Sequence, residues 1–135
     1  VESSPITAAV VRWGIKKYPR GPVWLKAAMD RIEIICADHL EVLKELPARS
    51  FDIVYFDPMF RHPINSSQAI SPLRQLANHR PLSEEAIAEA LRVSRSRVVV
   101  KERAGSTEFE RLGIQQVLTG EHRDIAYGII EVRPS

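Results

Sequence analysis

The chain alternates between short apolar runs and segments in which apolar residues recur every three or four positions. The short runs, rich in β-branched and aromatic residues, predict strands at 32–37, 51–56, 97–101, 114–119 and 125–132. The periodic segments predict helices at 5–18, 23–30, 39–46, 83–94 and 108–112. Strands that alternate with helices indicate an α/β fold, in which a mostly parallel sheet is covered on both faces.

Local signals support the start of two helices and the last connection. Ser4 and Pro5 combine a hydroxyl cap with a proline in the first turn, and residues 81–85 place acids in the first turn of another helix. The final two strands are separated by only five residues, 120–124, which predicts a C-terminal antiparallel hairpin. The longest irregular stretch, 61–82, is rich in proline and predicts a loop with short helical pieces.

The apolar residues also predict a core. Trp13 and Trp24 lie on helical stripes, and Cys36 lies inside the run IEIIC, so we expect all three side chains to be buried. The runs at 51–56 and 97–101 are nearly continuous, which is typical of strands covered on both faces.

Composition narrows the class of protein. The 135 residues suit a single domain, 1–135, and 44% hydrophobic with 27% charged residues is ordinary for a soluble globular protein. We see no secretory leader and no apolar run near the roughly 20 residues that cross a bilayer, so we expect no membrane partner.

A single cysteine excludes an internal disulfide and a cysteine metal cluster, which favours the cytoplasm and predicts no metal site. The net charge of +2 is compatible with a nucleic-acid partner.

The end of the run at 51–56 is the most informative chemical feature. The strand is followed at once by Asp57, Pro58, Met59 and Phe60, and ligands of open α/β sheets bind at the carboxyl ends of strands. A carboxylate and a proline carbonyl can accept hydrogen bonds from an –NH₂ group while the phenylalanine stacks on the ring that carries it. The pattern therefore predicts recognition of a planar group with an exocyclic amine.

These residues resemble the class I S-adenosylmethionine-dependent methyltransferases, which have a Rossmann-like three-layer α/β fold. The resemblance implies that Glu2, beside Ser3, holds the cofactor ribose after the second strand. It implies that Asp38, beside His39, contacts the adenine after the third strand. Asp57 then begins the Asp-Pro-x-aromatic motif of the amino-methyltransferases, at the fourth strand.

Met59 narrows the resemblance, because bacterial ribosomal RNA guanine-N2 methyltransferases carry an Asp-Pro-Met-aromatic motif followed by proline, histidine and arginine. Here the continuation is Phe60, Arg61, His62 and Pro63, similar in content but rearranged. The strand ending in Lys101 also resembles the fifth strand of that group.

The family's first strand and its glycine-rich turn are absent from these residues, so the resemblance implies an N-terminally incomplete domain. We expect weak or absent activity for the 135 residues alone.

The resulting hypothesis is a cytoplasmic enzyme that moves a methyl group from S-adenosylmethionine to an exocyclic amine of a nucleobase, in ribosomal RNA. We predict catalytic roles for Asp57, Pro58 and Phe60. The predicted cofactor-binding residues are Glu2, Ser3, Asp38, His39 and Asp57, and the predicted substrate-binding residues are Met59, Phe60, Arg61, His62 and Lys101. Basic residues at 61–80 could also grip phosphates, or could form a solvated loop.

Two other classes stay open on the sequence. A methyltransferase-like binding module would keep the fold without catalysis, and a nicotinamide-dependent Rossmann oxidoreductase also places an acid after its second strand. The oligomeric state is open, with a homodimer among the options.

Overall fold

The computed structural model describes residues 1–18, 21–58, 80–120 and 123–132. Five helices lie in these ranges: α1 Pro5–Lys17, α2 Val23–Met29, α3 His39–Glu45, α4 Glu84–Val93 and α5 Glu108–Arg111. Four strands accompany them: β1 Phe51–Phe56, β2 Ser94–Arg103, β3 Gln116–Thr119 and β4 Ile125–Glu131. In this part of the chain no helix has the length and apolar character needed to cross a membrane.

The four strands form one mixed sheet in the order β1-β2-β4-β3. β1 and β2 are parallel, with Phe56 beside Val100, whereas β2–β4 and β3–β4 are antiparallel. The predicted C-terminal hairpin is therefore confirmed, and so is the α/β class. Because β1 has β2 as its only strand neighbour in the described ranges, its outer edge is open.

The predicted strand at 32–37 is wrong as an element. It is reduced to a single parallel bridge between Cys36 and Glu2. The amide of Glu2 donates to the carbonyl of Ile35 at 2.9 Å, and the amide of Ala37 donates to the carbonyl of Glu2 at 3.2 Å. A strand needs a continuous ladder, and within the described residues the bridge to Glu2 is the only strand-type pairing that this segment makes. The bridge nevertheless places Glu2 directly beside the approach to α3.

The core lies on one face of the sheet. Val98 and Val100 of β2 are almost fully buried, and they join α4 and α5 in one apolar cluster. Because side chains alternate along a strand, the residues between the buried ones, on β2 and on the paired β1, point to the other face of the sheet. There Ile53 and Tyr55 of β1 are about half exposed, at 52% and 50%. The expectation that β1 is buried on both faces is therefore wrong.

The aromatic side chains of the two N-terminal helices lie outside this core. Trp13 is 67% exposed and Trp24 is 71% exposed, and Cys36 is exposed as well. The prediction that these three side chains are buried is wrong, because the core cluster of the described residues is built from α3, α4, α5 and the sheet, and neither α1 nor α2 contributes to it. Helical periodicity identifies an apolar stripe but not the surface that covers it.

The helix starts follow their capping chemistry. The Ser4 hydroxyl accepts from the amide of Thr7 at 3.3 Å at the start of α1. The Ser83 hydroxyl accepts from the amide of Ala86 at 3.0 Å at the start of α4. Each serine satisfies an amide that has no partner within the helix.

A side chain of α4 holds the end of α3. The guanidinium of Arg92 donates to the carbonyl of Leu43 at 2.7 Å and to the carbonyl of Leu46 at 2.9 Å. It is oriented by Glu89 one turn earlier, at 2.8 Å. A cation at a helix C-terminus satisfies unpaired carbonyls and complements the helix dipole. Arg92 therefore fixes the helix that begins beside the candidate site.

Gly128 of β4 is required by close packing. A methyl group at this position would lie 2.8 Å from Ile114 and 2.8 Å from Phe109. Both of those side chains are buried in the core cluster, so they cannot move away without disturbing α5. The glycine allows α5 and the residues after it to approach the sheet.

Candidate cofactor and substrate site

A cavity of about 510 Å³ runs along β1 from Phe51 to Asp57 and Pro58, just past the carboxyl end of the strand. It is lined by Glu2 and Ser3 from the chain start, by His39 from the start of α3, and by Asp57 and Pro58 from the end of β1. Three segments far apart in sequence therefore meet at one edge of the sheet, where ligands of open α/β folds bind. Five of the predicted site residues share this cavity.

Glu2 is held in place by backbone and side-chain contacts. Its backbone forms the bridge to Cys36, and its Oε1 accepts a hydrogen bond from the amide of Ser4 at 2.7 Å. The side chain is half-buried and lines the cavity. Among the described residues no group donates to Oε2. One carboxylate oxygen therefore fixes the chain turn while the other can accept a hydrogen bond from a bound hydroxyl.

The side chains of Asp38 and His39 make different contacts. The Asp38 carboxylate accepts from the amide of Leu40 at 2.9 Å and caps α3. It is not among the described residues that line the cavity, although Ala37 and His39 on either side of it are. The imidazole ring of His39 contacts the ring of Phe56 edge-on, with centroids 5.9 Å apart. The predicted adenine contact of Asp38 remains a prediction.

Asp57 forms an ion pair at the rim of the sheet. Its Oδ2 accepts a hydrogen bond from Nζ of Lys101 at 3.0 Å, and the side chains of Asp57 and Lys101 are 49% and 23% exposed. The parallel register that sets Phe56 beside Val100 also sets the next residue of each segment side by side. Lys101, predicted to bind substrate, is thus placed against the carboxylate of the predicted catalytic aspartate.

The ion pair changes the electrostatics of the exposed sheet face. The hydrogen bond that Lys101 donates to the Asp57 carboxylate raises the pKa of Lys101, although partial burial acts against it. Burial raises the pKa of Tyr55, and the negative charge of Asp57 adds to that effect. Tyr127 of β4 stands opposite Lys101 in the antiparallel register. Two tyrosines therefore flank the ion pair.

Sequence reasoning did not identify these tyrosines as neighbours of the site. The period-two alternation does place Tyr55 and Asp57 on the same face, so that signal was present. Tyr127 could not be found in this way, because its position depends on the register between β2 and β4.

The remaining predicted residues cannot be placed. Met59, Phe60, Arg61 and His62 lie outside the described residues. Of the basic residues at 61–80, Arg80 is described, and it is one of the residues that line the cavity.

Comparison with known proteins identifies the family. Residues 1–124 match the family described as "Putative SAM-dependent methyltransferase". The chain belongs to this family. S-adenosylmethionine is accordingly the cofactor that family membership assigns to it, and the mixed sheet with its helices is consistent with a Rossmann-like methyltransferase fold.

Curated relatives cover most of the chain. The uncharacterized protein YpiP of Bacillus subtilis (strain 168) is 40% identical over 134 residues, which is 99% of this chain and 52% of YpiP. Ribosomal RNA small subunit methyltransferase J of Alteromonas mediterranea is 31% identical over 104 residues, 75% of this chain and 39% of that protein. The protein of the same name from Coxiella burnetii (strain Dugway 5J108-111) is 30% identical over 107 residues, with the same coverage. The chain thus spans about half or less of these relatives.

Proposed function

We propose that the protein transfers the methyl group of S-adenosylmethionine to an exocyclic amine of a nucleobase in ribosomal RNA. The observation that carries the proposal is that Glu2 and Asp57 line one cavity at the edge of the sheet. A ribose-binding acid and an amine-binding acid are the two polar groups that such a reaction requires at either end of its site.

The residues present suit this cofactor. Glu2 lines the cavity, and because Oε1 is held by the amide of Ser4, Oε2 would be the acceptor for ribose hydroxyls. The His39 ring lines the cavity and is supported edge-on by the buried Phe56 ring, so it provides an aromatic surface against which a purine can pack. When bound, S-adenosylmethionine supplies a methyl group on a sulfonium sulfur, whose C–S bond breaks with its electron pair remaining on sulfur as the amine nitrogen takes the carbon.

Asp57 and Pro58 would prepare the amine for this attack. The lone pair of a base amine is delocalised into its ring, so holding the amine in the reactive orientation supplies much of the rate. The Asp57 carboxylate would accept one N–H and the carbonyl of Pro58 the other. As the new N–C bond forms, positive charge develops on nitrogen and the negative Asp57 stabilises it. Asp57 is half exposed, so the proton that the amine loses can pass to solvent. Phe60 remains the predicted stacking residue.

The relatives support ribosomal RNA as the substrate. Two of them are named ribosomal RNA small subunit methyltransferase J. Arg80 lines the same cavity as Asp57, and an arginine can contact phosphate without reading sequence. Action on ribosomal RNA would place the protein in the cytoplasm. The residues 1–135 would form part of the methyltransferase domain.

The test is methyl transfer by the full-length protein. Small-subunit ribosomal RNA from a strain that lacks the corresponding gene is incubated with tritiated S-adenosylmethionine. We expect the wild type to label this RNA, and Asp57→Ala to lose at least about 100-fold in rate, because it loses both the positioning and the charge contribution.

A matched control lies on the same strand. Asp52 of β1 pairs with Arg95 of β2 at 3.1 Å, at the opposite end of the strand from Asp57. Asp52→Ala should therefore keep nearly the full rate. Normal labelling by Asp57→Ala would contradict the proposed role of Asp57. If the protein binds the cofactor in calorimetry but labels no RNA, the binding-module alternative is favoured. The oxidoreductase alternative has no support, since the chain belongs to a methyltransferase family.

A further inference from the structure

We propose that Lys101 is a positioning residue for the reaction: it holds the carboxylate of Asp57 in one orientation, so that only Oδ1 faces the incoming amine. This inference rests on the proposed function, because it assigns a task to Lys101 only if Asp57 receives the amine.

The geometry of the ion pair supports this role. Nζ of Lys101 lies 3.0 Å from Oδ2 of Asp57. A carboxylate has two oxygens, and an ammonium group on one of them restricts rotation about the Cβ–Cγ bond. With Oδ2 engaged, Oδ1 is the oxygen left for a new donor. The Asp57 side chain is 49% exposed and lines the cavity, so a substrate amine can reach it.

Lys101 is itself well anchored. It belongs to β2, which has β1 on one side and β4 on the other, and it is paired with Tyr127 of β4 directly after the last β1 pair at Val100. Asp57, by contrast, follows the last residue of β1, the strand at the edge of the described sheet. Lys101, on a central strand, is thus placed to fix the side chain of Asp57, which follows an edge strand.

The burial of Lys101 separates this ion pair from the ordinary surface pairs. Its side chain is 23% exposed, against 69% for Lys26 in the pair with Asp30 and 43% for Lys44 in the pair with Glu85. Exposed ion pairs contribute little to stability. The less exposed lysine loses less freedom when it forms the bond, since its stem is already largely covered by neighbouring groups. Orientation, rather than stability, is the property that such a pair supplies at a binding site.

The test compares substitutions of Lys101 in full-length protein, with tritiated S-adenosylmethionine and unmodified small-subunit ribosomal RNA as the probes. We expect Lys101→Met to lower kcat about 10- to 100-fold, the range that misplacement of a reacting group produces. The KM for RNA and the Kd for S-adenosylhomocysteine should change by less than about threefold, because an interaction needed only for orientation affects kcat. Lys101→Arg should recover most of the rate, since it restores a cationic donor.

Two further variants test whether the loss of kcat in Lys101→Met depends on Asp57. Lys44→Met removes the lysine of another ion pair, with Glu85 at 2.9 Å, and should leave kcat unchanged. In an Asp57→Asn background, Lys101→Met should cost less than about twofold, because residues that act as one unit are non-additive. If Lys101→Met does not fold, as judged by circular dichroism, Lys101→Gln takes its place in both backgrounds.

The outcomes separate the two proposals. If Asp57→Asn keeps the wild-type rate, or the wild type labels no RNA, the proposed function fails and this inference fails with it. If Asp57→Asn is impaired but Lys101→Met matches Lys44→Met, only the role of Lys101 is wrong. If Lys101→Met instead raises the KM for RNA, or is equally harmful with and without Asp57, Lys101 contacts the substrate directly and the positioning role is overturned.

Discussion

Glu2 offers a sharp test of cofactor binding, because its two carboxylate oxygens have separate tasks. Oε1 accepts from the amide of Ser4 at 2.7 Å, and the side chain lines the cavity. Glu2→Gln keeps an oxygen that can accept from Ser4, but replaces the cavity-facing acceptor with an –NH₂ donor. The substitution therefore spares the chain turn and removes the proposed ribose contact.

The expected loss follows from the strength of that contact. A hydrogen bond to a charged acceptor contributes about 1.5–3 kcal/mol. That corresponds to a roughly 10- to 150-fold weaker Kd for S-adenosylhomocysteine. Glu2→Ala should weaken binding at least as much and should also loosen the start of α1, since the amide of Ser4 loses its partner. Isothermal titration calorimetry on the full-length protein measures the Kd of both variants.

The control is a carboxylate away from the cavity. Glu131 pairs with Arg97 at 3.6 Å, and Glu131→Gln should bind S-adenosylhomocysteine like the wild type. The reasoning is refuted if Glu2→Gln also binds like the wild type while remaining folded, because the oxygen assigned to the ribose would then have no role.

Three further predictions concern stability, measured by urea unfolding of the full-length protein. Gly128→Ala should lower the free energy of unfolding by about 1–3 kcal/mol because the methyl group overlaps the core. Gly14→Ala, which lies inside α1 and meets nothing within 4 Å, should instead raise it by up to about 1 kcal/mol, because alanine has the higher helix propensity. Arg92→Met should cost about 2 kcal/mol because the carbonyls of Leu43 and Leu46 lose the hydrogen bonds that Arg92 donates to them. An unchanged midpoint would contradict that capping role. The hydrogen bond to Asp57 raises the pKa of Lys101 above the ordinary 10.5. The ion pair therefore stabilises the fold fully below pH 10.5, and this contribution is lost as the pH rises through the folded-state pKa. The free energy of unfolding should accordingly fall less at alkaline pH in Lys101→Met than in the wild type, and an identical fall would show that the pair does not contribute to stability.

The sequence allowed the local part of the site to be predicted. The end of β1 at Asp57 could be read from one window, because a β-rich run stopped by proline depends on neighbouring residues alone. The helix starts at Ser4 and Ser83 were equally accessible, since a cap acts within three residues. The family resemblance drawn from Glu2, Asp38 and Asp57 is confirmed by the match over residues 1–124.

Errors arose where a prediction needed a distant partner. Periodicity shows that Trp13 and Trp24 share stripes with other apolar residues, but burial depends on what packs against those stripes. The segment 32–37 has strand-like composition, yet a strand forms only where a neighbour completes the ladder, and β propensity depends strongly on such context. In the described residues that segment has a bridge alone.

The sequence by itself determined the class of fold, the positions of most helices and strands, and the acid-proline turn after β1, because each depends on interactions over a few residues. Only the tertiary structure decided that Glu2 and Asp57 share a cavity, and that Lys101 binds an aspartate 44 positions away. Those contacts depend on strand register and on the return of the chain through intervening helices. Neither is encoded in any single window of residues.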